Sequence, residues 1–273
     1  MPVFVREDIN INYEVTGSGP RVLFVNGSGA TLESASLFIG ALAQTCEVLA
    51  HDQRGLGKTS IPDGPYTMAQ YAQDADALLN HVGWSTCAVV GMSFGGMVAQ
   101  EFAVTYPERV ERLALLCTSA GGDAGASYPL HELGSLSVEE RSKKILLLTD
   151  SRFTEEWLAS HPSDLKMMRL RAEQAAQPKT DEVLRGERLQ LIARIGHDVA
   201  DRLHKVASPT FVMAGRFDGI APPDNSHEIV KRIPYATMAE YEGGHMFVAQ
   251  DKSALKDLWA FLRGGSSVQS GQS

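Results

Sequence analysis

The chain has 273 residues, 44% of them hydrophobic, enough to bury the core of one α/β domain with an insertion. Its formal net charge is -8 at pH 7, and the acidic residues are scattered rather than clustered. There is no basic stripe of the kind nucleic acid requires and no apolar run long enough to span a bilayer, so neither is expected as a partner.

Met1-Pro2-Val3-Phe4-Val5 is already strand-like and charged residues follow it, with no signal-type apolar stretch. Ile9 to Val15 alternates at period two and reads as an edge hairpin strand. Val22 to Val25 and Cys46 to Ala50 are short buried strands, followed by Asn26-Gly27-Ser28-Gly29 and by His51-Asp52-Gln53-Arg54-Gly55-Leu56-Gly57. Cys87 to Val90 is a further strand, leading through Gly91-Met92-Ser93-Phe94-Gly95 into a helical segment. Tyr106 to Val110 ends that helix, and Leu113 to Leu116 is the next strand. This alternation predicts a mostly parallel sheet with helices on both faces.

After Cys117 the pattern changes. Gly121 to Ser127 is glycine-rich, and Val138–Leu148, Glu155–Ser160, Ser163–Gln177 and Thr180–Arg194 read as amphipathic helices. Strands resume only at Pro209, with Thr210 to Ala214 and Ala236 to Tyr241. The expected organisation is a core of residues 1–121 and 207–263, a helical lid of 122–206 between the sixth and seventh strands, and a loose tail over 264–273. Cys46, Cys87 and Cys117 each fall in or at the end of a buried strand, as expected for reduced thiols in a cytoplasmic protein. No C-x-x-C or H-E-x-x-H arrangement suggests a metal, and no cofactor is expected. Gly55-Leu56-Gly57-Lys58-Thr59 is no phosphate loop, because Asp52 stands where its first glycine belongs. Gly27-Ser28-Gly29 is no dinucleotide turn, because Leu32 stands where its third glycine belongs.

Ser93 lies between two glycines, after a strand and before a helix, the setting that lifts a serine hydroxyl above a sheet edge. A serine hydroxyl is a weak nucleophile and needs a histidine base oriented by a carboxylate. Asp218 follows the strand ending at Gly215, at the sheet's carboxyl end. His245 follows Gly243-Gly244 after the last strand, a setting that the other seven histidines lack. The plainer reading of Asp218 is a turn or cap residue, and Asp224 looks like the N-cap of the next helix.

With Ser93, Asp218 and His245 in this order, the chain resembles the α/β-hydrolase superfamily over nearly its whole length. The segments after Val25 and after Ala50 are similar to that family's oxyanion loop and D-x-R-G-x-G-x-S turn. The resemblance implies a mostly parallel eight-stranded sheet and a Ser93–Asp218–His245 triad. It also implies an oxyanion hole of backbone N–H groups, with Ser28 and Met92, adjacent to the nucleophile, as the expected donors. Asn26 departs from the usual histidine of the oxyanion loop, and its amide is expected to hold the loop in the same way.

A lid above the sheet's carboxyl end would wall a substrate pocket over Ser93. Asn26, Phe94, Phe153, Trp157, Met167 and Met246 are its candidate lining, with Met168 and Leu170 beside them. The alternative is that these apolar side chains pack the lid helices together. A serine nucleophile argues against haloalkane dehalogenases and epoxide hydrolases, which use aspartate. The scaffold turns are most similar to 3-oxoadipate enol-lactonases and small carboxylesterases, which implies a small-molecule ester or lactone substrate. C–C bond hydrolases of ring-cleavage products, perhydrolases and a slow-turnover ligand-binding receptor stay open, as do monomer and homodimer.

Overall fold

The computed structural model describes residues 2–175 and 177–265; beyond Gly265, the expected tail lies outside the described residues. The strands are β1 (Val3–Val5), β2 (Asn10–Gly17), β3 (Arg21–Val25), β4 (Glu47–His51), β5 (Cys87–Met92), β6 (Val110–Leu116), β7 (Thr210–Gly215) and β8 (Ala236–Tyr241). They form one eight-stranded sheet in the order β1-β2-β4-β3-β5-β6-β7-β8. Only β1–β2 and β2–β4 pair antiparallel; every pairing from β4–β3 to β7–β8 is parallel. The central strands are covered on both faces, which is why they read as unbroken apolar runs.

The helices are α1 (Ser36–Leu42), α2 (Met68–His81), α3 (Phe94–Thr105), α4 (Val138–Thr149), α5 (Glu155–Ser160), α6 (Pro162–Ala175), α7 (Asp181–Ile195), α8 (Pro223–Arg232), α9 (Phe247–Gln250) and α10 (Lys252–Leu262). The pleat divides the core in two. Leu23, Leu49, Val89, Leu113 and Val212 pack with α2, α3 and α8, while Val22, Phe24, Val48, Val90 and Phe211 pack with α1 and α10. Asp224 lies in the first turn of α8, whose cap is Pro222.

The helices between β6 and β7 start where side-chain oxygens satisfy free backbone N–H groups. Ser137 forms a capping box with Glu140, and Thr154 and Thr180 accept from Trp157 and Val183. These helices bury little of their own. Phe153, Leu158 and Met168 form one small cluster, and Leu133, Leu148 and Ile220 form another. Among the described residues no helix is long and apolar enough to cross a membrane.

His51, ending β4, and His197, following α7, are both buried, and desolvation lowers each to about 4. Unfolded histidine titrates near 6.5, so between those values the unfolded chain binds more protons and stability falls on acidification. Each imidazole is expected to cost about 3 kcal/mol by pH 4 relative to pH 7. The check is the urea midpoint of the wild type and of His197→Gln across pH 4 to 7; the variant loses part of the drop.

Candidate active site

The apolar run Cys87–Met92 carries β5 to the sheet's carboxyl end, and the chain reverses into α3 at Ser93. Ser93 has φ +53° and ψ -117°, a left-handed conformation that L residues avoid. The bend is held from several sides. The Ser93 N–H donates to Leu116 O at 2.8 Å, and its carbonyl accepts from Gly96, Met97 and the Thr118 hydroxyl. Helix α3 can start this close to β3 because Gly95 has no side chain: a Cβ there would lie 2.0 Å from Val25 O. The N-terminus of a twelve-residue helix thus begins at the serine, where its dipole and free N–H groups favour negative charge.

Asp218 and His245 reach the same point from the loops after β7 and β8. The His245 Nδ1–H donates to Asp218 Oδ2 at 2.7 Å, and the Ser93 hydroxyl donates to His245 Nε2 at 2.9 Å. Asp218 is 4% exposed, and its Oδ1 accepts from the backbone N–H groups of Ile220 and Ala221. The turn role considered for this aspartate is therefore also real: one oxygen makes the turn and the other faces the histidine.

The loop after β3, Asn26-Gly27-Ser28-Gly29, lies beside the serine, since a Cβ on Gly27 would sit 3.6 Å from Ser93 Cβ. Asn26 spends its amide on this loop, Oδ1 accepting from Gly27 N–H and Nδ2 donating to Thr31 O. It is a loop brace, as its chemistry suggests, rather than pocket lining. Gly29 N–H is taken by Gln190 Oε1 at 2.8 Å. Ser28 N–H, between these two, makes no hydrogen bond among the described residues.

Met92 is a correction. It precedes Ser93, ends β5 and pairs in register with Leu116, so its N–H belongs to the sheet rather than to a helix start. The residue after the serine is Phe94, the first of α3, whose N–H has no intrahelical acceptor. Phe94 was expected in the pocket, yet its ring is 1% exposed and packs edge-on against Tyr71 in the main core. Its backbone faces the site and its side chain does not.

Other candidates also divide. Phe153 is buried with Leu158 and Met168, and Trp157 and Met167 pack on that cluster, so all of them hold the insertion together. Trp157 also stacks on His161 and lines a surface cleft with Arg152 and Thr154 that contains none of Ser93, Asp218 and His245. Leu170 is half exposed. Met246 follows His245 in the chain, and its sulfur is met by Arg171 Nη1 at 2.9 Å.

Sequence reasoning also missed the end of α4. Thr149 O accepts from His245 N–H at 2.6 Å, Leu148 O accepts from Gly219 N–H, and Ser151 N–H donates to Phe217 O. The adjacent Asp150 is fully buried and takes a bidentate pair from Arg152 and a bond from Gln250, whose Oε1 holds Gly244 N–H. Arg152 in turn lies 3.9 Å over the Phe217 ring. One helix end therefore braces both the aspartate loop and the histidine loop. Asp150→Ala leaves Gln250 without its acceptor and Arg152 with only its longer contact to Glu242, and is expected to cost about 3 kcal/mol. The urea midpoint measures that loss, and an unchanged midpoint counts against the brace.

The sequence pattern of the α/β hydrolase fold family matches residues 20–252. A poly(3-hydroxyalkanoate) depolymerase of Ectopseudomonas oleovorans is 31% identical over 87% of this chain and 82% of its own. The 3-oxoadipate enol-lactonase 2 of Acinetobacter baylyi is 26% identical, over 90% and 92% respectively. Among solved structures, a hydrolase of Pseudomonas aeruginosa PA01 superposes with a TM-score of 0.78 at 25% identity, covering 97% of this chain and 98% of that one.

Proposed function

Because the chain belongs to the α/β hydrolase fold family, we propose that it is a serine hydrolase that cleaves a small carboxylic ester or lactone through an acyl-enzyme. The observation that carries this reading is the continuous Ser93–His245–Asp218 hydrogen-bond chain at 2.9 and 2.7 Å. His245 takes the hydroxyl proton as Ser93 Oγ attacks the carbonyl carbon, and Asp218 holds the imidazole so that Nε2 is the free base. The oxyanion receives N–H donation from Phe94, at the start of α3, and from Ser28. Each donor contributes about 3 kcal/mol of transition-state stabilisation. His245 then returns the proton to the leaving alcohol, and water releases the acid by the same steps in reverse.

In this reading residues 122–206 act as a lid that also holds the catalytic loops. A ring-cleavage C–C bond hydrolase is the second reading, favoured by the Gly27-Ser28-Gly29 loop, and it uses the same three side chains. A panel of short p-nitrophenyl esters, enol-lactones and ring-cleavage dienones separates them. Steady turnover of esters or lactones supports the proposal. Turnover of dienones alone selects the C–C reading, and a p-nitrophenyl acetate burst without turnover selects a ligand-binding role.

A further inference from the structure

Helix α6 spends its apolar face inside the insertion, where Leu165, Met167 and Met168 pack with Phe153, Trp157 and Leu158. Two of its polar bonds stay there as well: Asp164 accepts from Trp157 Nε1, and Leu165 N–H donates to His161 O. Arg171 reaches outward, its Nη1 donating to the sulfur of Met246 at 2.9 Å. The far side of that bond is held firmly. Met246 directly follows His245, whose N–H donates to Thr149 O, and precedes Phe247, which is fully buried and stacks on Tyr241. Whatever binds Arg171 to Met246 therefore binds α6 to the loop of the histidine.

The bond is weak as it stands. A thioether sulfur is a weak acceptor, and Arg171 is exposed, so water competes for its N–H groups. Arg171 has no carboxylate partner among the described residues, whereas Arg54, Arg152 and Arg202 are each paired with one. The sulfur is also open to reagents. The other described methionines are buried or pack against an apolar cluster, whereas Met246 is partly exposed and belongs to none of these clusters.

We propose that Met246 is a reversible oxidation site, at which a peroxide turns this loose contact into a clamp of α6 on the histidine loop. The Sδ lone pair attacks one oxygen of hydrogen peroxide, the O–O bond breaks, and the other oxygen leaves with both protons as water. Sulfur is oxidised by two electrons and the peroxide is reduced by two. The sulfoxide oxygen carries partial negative charge and accepts strongly, so the guanidinium that met sulfur makes a charge-assisted N–H···O bond. The modification goes beyond the hydrolase reading. Its effect on turnover rests on that reading, because a clamped insertion slows substrate entry and product release.

The test treats the wild type, Met246→Leu and Arg171→Leu with hydrogen peroxide and compares each with its own untreated form. In the wild type, peptide mass should place an added oxygen on Met246. One strengthened hydrogen bond should slow amide exchange across residues 162–175 about fivefold and lower kcat/KM for p-nitrophenyl acetate by about the same factor. Methionine sulfoxide reductases A and B together should reverse all three changes. Met246→Leu should show neither the slowing nor the loss. Arg171→Leu should gain the oxygen at Met246 and still show neither. The proposal is overturned if Met246 stays unoxidised in the wild type, if exchange across α6 is unchanged or faster, or if it slows equally in Arg171→Leu. If no ester turns over in any form, the hydrolase reading fails, and exchange across α6 alone decides the clamp.

Discussion

Replacing Ser93 by alanine is expected to lower kcat by about 10⁶-fold, since the serine and histidine of such a triad act as a unit. The fold should survive, because the elbow is held by backbone contacts: Ser93 N–H to Leu116 O, and its carbonyl to Gly96, Met97 and Thr118. Alanine keeps the strain of φ +53°. Ser93→Gly removes it, and should match the alanine variant in inactivity while unfolding at a higher denaturant concentration by about 1 kcal/mol. Steady-state ester hydrolysis and urea midpoints measure both. An active alanine variant would move the nucleophile elsewhere.

Asp218→Asn should lower kcat about 10⁴-fold with little change in stability. The reason lies in the hydrogen bonds. Ile220 and Ala221 N–H groups both donate to Asp218 Oδ1, so an asparagine places its carbonyl oxygen there and turns its NH2 toward His245 Nδ1. That nitrogen must then accept, which puts the imidazole proton on Nε2, facing Ser93. A protonated Nε2 cannot take the hydroxyl proton. The kcat–pH profile checks this, because activity in the variant should rise only at high pH, where the serine ionises without a base. An unchanged profile would show that the carboxylate does not set the tautomer.

The strands were legible because the sheet is covered on both faces, so β5, β6 and β7 appear as short unbroken apolar runs. The helical insertion was legible through its period, and α4 through α7 fall within two residues of their expected ends. Ser93, Asp218 and His245 stood out because each follows a strand at a turn containing glycine. The proposed oxyanion donor, Phe94, lies two residues after the expected Met92, since a backbone N–H leaves no trace in the side-chain pattern. What identifies Phe94 is its place as the first residue after the elbow, while its ring signals only core. The pocket lining was not legible either. Apolar character marks Phe153 and Met168 as buried and Met167 as partly so, but not whether they face a substrate or each other. Asp150 and Gln190 carried no signal, because their roles exist only through contacts to Gln250 and Gly29, 100 and 161 residues away.

The shortest route to the central claim is covalent labelling. Incubation with diethyl p-nitrophenyl phosphate should release one equivalent of nitrophenol and add a single diethylphosphoryl group, located by peptide mass on Ser93. The same protein with His245→Ala should label at least a hundredfold more slowly. An adduct on another residue, or equal labelling without the imidazole, would contradict an activated Ser93.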